Sequence, residues 1–75
     1  MAWTLHVELS HKGWLEPLHK RLRFEGSLDQ VLDKIKQDMQ GKTRSSDLWN
    51  LRQNKATSFI DINDVKHRWR LEEDM

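Results

Sequence analysis

A chain of 75 residues and 9.1 kDa is the size of one small domain, 1–75, whose core buries only about 60 % of the surface the unfolded chain exposes. It has no Cys and a formal net charge of +1, which excludes a disulfide framework and a thiolate metal site and leaves no overall charge that would mark a nucleic-acid binder. A mean hydropathy of -0.89, with no basic segment leading into an apolar run, argues against a membrane span or a secretory signal, so the expected location is cytoplasmic.

Residues 3–9 alternate. Trp3, Leu5, Val7 and Leu9 point one way and Thr4, His6, Glu8 and Ser10 the other, the pattern of a strand with one buried face. Residues 10–13 read as a turn, in which Gly13 can take a positive φ. Residues 14–25 admit two readings. As a helix they place Leu15, Leu18 and Leu22 on one stripe with Pro17 in the first turn. As a strand over about residues 20–24 they place Leu18, Leu22 and Phe24 inward with Lys20 among them and Pro17 before the strand or on an edge, and they give the first strand a partner. We take the strand.

Residues 27–41 carry the clearest signal. Leu28, Val31, Leu32, Ile35 and Met39 fall on one helical stripe, and charged or amide residues fill the other face. Ser27 with Gln30 three residues on matches the capping box, and Gly41 suits the position just past the helix end. Residues 42–46 are a polar connection. Residues 48–52 read as a short strand, 53–55 as a turn, and 56–62 as a strand with Ile60 and Ile62 inward. Asn63 and Asp64 break that strand, and Val65, His67, Trp69 and Leu71 then alternate with Lys66, Arg68 and Arg70. The expected fold is α+β, an antiparallel sheet of four or five strands in the order ββαββ or ββαβββ with one amphipathic helix packed on one face. Residues 58–71 resemble the strand, Asn-Asp turn and strand of many small orphan proteins, phage-encoded ones included. That likeness covers under a quarter of the chain and implies no function.

On this register the face away from the helix presents Arg21, Arg23, Lys66, Arg68 and Arg70, together with His6, Glu8 and His19, and Phe59, as an exposed ring, and Asp61 stand between them. Such a set can neutralise phosphates and stack a base, and it can equally meet an acidic protein. Trp3 and Trp69 are expected in the core, whereas Trp14 and Trp49 lie in or beside turns and are candidate partner contacts. His6, His11 and His19 match no metal-finger spacing, and without Cys their co-ligands would have to be carboxylates such as Glu8 or Glu16, so no metal or other cofactor is expected. His67 on the apolar side reads as a hydrogen-bonded core histidine. Tyr and Cys are absent, no Gly-rich phosphate loop or nucleophile motif occurs, and Asp61 and Asp64 suit a turn. The reading is therefore a non-enzymatic adaptor or inhibitor module of phage type, acting through a protein interface and forming a homodimer. The alternative is a nucleic-acid-binding protein that uses the basic sheet face.

Overall fold

A computed structural model describes residues 1–38 and 44–74. Strand β1 (Ala2–Ser10) and strand β2 (Leu18–Glu25) form a hairpin, helices α1 (Leu28–Asp38) and α2 (Ser45–Asn54) follow, and a second hairpin of β3 (Ala56–Ile60) and β4 (Lys66–Asp74) closes the chain. The sheet order is β2-β1-β4-β3 and all pairs are antiparallel. β1 and β4 are thus the central strands and β2 and β3 the edges. The architecture is α+β as expected, with four strands. Among the described residues it has two helices where one was expected, because residues 48–52 are the middle of α2 and not a strand.

The alternation in β1 works as read. Trp3, Leu5 and Val7 are buried and face Phe24 of β2 and Trp69 and Leu71 of β4. Val31, Leu32 and Ile35 from α1 and Leu51 from α2 complete this core, and Leu28 and Leu48 pack at its margin. Each such side chain contributes about 1.5–3 kcal/mol by leaving water. The strand reading of residues 20–24 holds within the longer β2, and Pro17 stands just ahead of it, where its missing N–H disturbs no ladder bond.

The start of α1 is fixed as the sequence implies. Ser27 N donates to Gln30 Oε1 at 3.0 Å and Gln30 N to Ser27 Oγ at 3.4 Å, the reciprocal pairing of a capping box. Gly26 enters the helix at φ 119°, a left-handed backbone that side chains disfavour. Gly13, in contrast, does not use a positive φ; its amide instead donates to His11 Nδ1 at 2.9 Å and holds the β1–β2 turn. The expectations for Met39, Gly41, Lys42 and Thr43 lie outside the described residues.

Helix α2 is tied to the edge of the sheet by a buried carboxylate. Asp47 accepts from the Thr57 hydroxyl of β3 at 2.9 Å and from the Arg44 amide at 3.2 Å, and it is almost fully buried. Lys55 then reverses the chain at φ 60° with its amide on Leu51 O at 3.1 Å. This reversal sets the face of β3. Thr57 pairs with Trp69 and Phe59 with His67, so Thr57 and Phe59 face the helices. Ile60 is accordingly on the outer face, and Ile62 lies beyond the strand in the turn. Both isoleucines are exposed, which reverses the inward placement expected for them.

Candidate functional site

The strand register arranges the outer face in rows. Arg21, His6 and Arg70 are directly paired across β2, β1 and β4, and His19, Glu8 and Arg68 form the next row. Lys66 stands further along β4 opposite Ser10, and Arg23 stands on the other side opposite Thr4. The five expected cations therefore do share one exposed face. Phe59 is the exception. Its ring stacks on His67 at 4.5 Å between centroids and meets Trp69 edge-on at 5.3 Å, so it belongs to the helix side and is half-buried. No base can stack on Phe59 alongside the arginines.

Several of these cations have carboxylate neighbours on the same face. Arg70 meets Glu72 at 3.0 Å, Arg23 lies 3.6 Å from both Glu25 and Asp74, and Arg68 is 4.0 Å from Glu8. His6 approaches Glu72 at 3.4 Å and His19 approaches Glu8 at 3.9 Å. The arginines of these pairs are exposed, so each pair is worth under about 1 kcal/mol and an incoming ligand can replace it cheaply. Among the described residues, Arg21 and Lys66 have no carboxylate at ion-pair distance. A shallow groove of about 830 Å³ runs over this face, and Asn50 and Asn54 of α2 line it beside the strand residues.

A second surface was only partly foreseen. Leu9 pairs with Leu18, Ser10 with Lys66, and Ile60 with Lys66, so the β1–β2 and β3–β4 connections leave the sheet at the same end. Trp14, Leu15, Leu18, Ile60 and Ile62 are all exposed there, Leu15 and Ile62 completely. The Trp14 amide donates to His11 O at 3.0 Å, and its ring lies 6.0 Å from that of His11, so the turn presents Trp14 in a defined position. The Asp61 carboxylate braces the other loop. It accepts from the Asn63 and Val65 amides at 2.8 and 3.1 Å and from His67 Nε2 at 2.8 Å. The His67 hydrogen bond, followed by the two amides, holds Asp61 below its ordinary pKa against the opposing effect of desolvation. Ile62 is displayed on that braced turn.

Trp49, expected beside a turn, lies on the outward side of α2 and is 59 % exposed, against 38 % for Trp14. The two tryptophans are thus exposed on separate elements. Sequence reasoning missed the apolar end because it placed Leu18, Ile60 and Ile62 in the core, whereas all three are exposed. A signal was available in Asp61, Asn63 and Asp64, whose turn-forming side chains end the strand before Ile62. Comparison with known proteins finds no matching family model, curated relative or solved structure. No helix among the described residues is long and apolar enough to cross a membrane.

Proposed function

We propose that this protein is a small non-enzymatic binding module that docks a protein partner through the hairpin end of its sheet. The observation that carries this reading is the exposure of Trp14, Leu15, Leu18, Ile60 and Ile62 at the same end of the sheet, with Trp14, Leu15 and Ile62 in the two connections and Leu18 and Ile60 at the adjoining ends of the edge strands. Exposed apolar groups concentrated in one region mark interaction surfaces, and Trp is among the residues that most often dominate their energetics. Turns braced in advance lose little further conformational freedom on binding, so more of the contact energy appears as affinity. A second copy of the chain is one such partner, and Trp49 is a separate contact point on α2.

Light scattering over a range of concentrations, together with affinity capture, tests the proposal. The unaltered protein is expected to self-associate or to retain one stoichiometric protein partner. A variant carrying Trp14→Ala, Leu15→Ser and Ile62→Ser is expected to lose that association while melting at the same temperature. A monomer that retains no stoichiometric partner contradicts the reading.

A further inference from the structure

The charges on the outer face are sorted along the strands. In the half nearer the hairpin loops, Arg21, Lys66, Arg68 and Arg70 stand with a single strand carboxylate, Glu8. In the half nearer the chain termini, Glu25, Glu72 and Asp74 stand with Arg23. The near-neutral net charge of the chain therefore conceals a polarised sheet. Arg21, Arg68 and Arg70 of this cationic half line the groove of about 830 Å³ together with Lys20, and Lys66 extends the positive surface along β4 beyond it. β3 is an edge strand with α2 packed along it, so Asn50 and Asn54 line the groove with Ser58, Arg21, Arg68 and Arg70. Nearly every polar side chain lining it can donate a hydrogen bond, and Glu8 is the one acceptor-only group among the described residues that line it.

The geometry points to a second site, apart from the hairpin end: a groove that grips the phosphodiester backbone of nucleic acid without reading its bases. The spread of the cations favours a repeating polyanion over a lone phosphate. Arg21 and Arg70 lie two strands apart, about 10 Å between their backbones, and Lys66 lies four residues along β4 from Arg70, about 13 Å. Arg and Asn donors are the groups that commonly contact backbone phosphates. Phe59 and Trp69 turn their rings to the helix side, so neither offers a stacking platform beside these arginines. Binding is therefore expected to be strongly salt-dependent and indifferent to sequence.

Fluorescence anisotropy with a labelled 20-base-pair DNA duplex between 50 and 200 mM salt tests this directly. If the four cations each neutralise a phosphate, log K falls with log salt at a slope of about −3 to −4, roughly a 100-fold loss of affinity over that range. The double variant Arg68→Ala/Arg70→Ala is expected to reduce the slope by about 2, and Arg21→Ala by about 1. The double variant Lys34→Ala/Lys36→Ala removes the same charge from the exposed side of α1 and is expected to leave the slope unchanged. All these side chains are exposed, and a circular-dichroism melt verifies that each variant is folded. Three results would overturn the proposal: no binding at 50 mM salt, an equal loss in the α1 variant, or polyglutamate or tripolyphosphate competing as well as unlabelled duplex. None of them bears on the hairpin end.

Discussion

The carboxylate of Asp61 accepts a hydrogen bond from Nε2 of His67 at 2.8 Å, joining the first residue after β3 to the second residue of β4. The same carboxylate holds two amides of the intervening turn, and the imidazole is stacked under Phe59. One acidic side chain thus couples the exposed Ile62 turn to the edge of the core. His67 and the turn amides favour the ionised form, so the pKa of Asp61 in the folded protein lies below its ordinary 3.8. A carboxylate depressed on folding stabilises the native state above its unfolded pKa, and that contribution disappears as the pH falls through the folded value. The stability of the native protein is therefore expected to fall below pH 3.8 more steeply than that of Asp61→Asn. Urea melts at successive pH values between 5 and 2 measure this, and parallel profiles for the two proteins would remove Asp61 from the account.

At the entry to α1, Gly26→Ala forces a side chain into a left-handed backbone where it also meets Gln30. Ser27→Ala removes the hydroxyl that accepts from the Gln30 amide. Each is expected to cost about 1 kcal/mol, read as a lower denaturation midpoint with an unchanged slope.

The attachment of α2 rests on two different kinds of contact. Leu51 is completely buried, and Leu51→Ala is expected to cost about 2–5 kcal/mol through lost burial and the cavity left behind. Thr57→Val keeps the shape but takes the hydroxyl donor from buried Asp47, at a cost of about 1–3 kcal/mol. Trp49→Ala, on the exposed side of the same helix, is expected to stay within about 0.5 kcal/mol of the parent. Chemical denaturation of the three variants distinguishes a helix packed by Leu51 from one packed by Trp49.

Much of this fold could be read from the chain because its strongest signals are local. The alternation of residues 3–9 and 65–71 and the capped stripe at residues 27–35 specify two central strands and one helix by themselves. The cationic face follows from them, since Arg21, Arg23, Lys66, Arg68 and Arg70 take their side from partners in β1. Helix α2 was harder to read. Its apolar contribution is reduced to Leu48 and Leu51, and an exposed Trp49 between them imitates a strand. The three-residue spacing of Leu48 and Leu51, with Asp47 in the first turn, is the helical signal. The face of β3 was not available from local pattern at all. In residues 56–60, Thr57 and Phe59 are inward because a left-handed Lys55 and the bond from Thr57 to buried Asp47 set the register, while the more apolar Ile60 is left outside. That tertiary constraint moved Phe59 off the basic face and put Ile60 on the surface, and the turn begun by Asp61 put Ile62 there, turning an expected core segment into part of the apolar end.

The central claim is that the hairpin end meets a protein. Replacing Ile62 with a photo-activatable aromatic residue, in cells of the native source, tests it most directly, with the same replacement at Lys36 on the exposed side of α1 as control. The account predicts a discrete protein adduct from position 62, either a second copy or one other chain, that disappears when Trp14→Ala and Leu15→Ser are added and does not form from position 36. No adduct at position 62, or the same adducts from both positions, would contradict it.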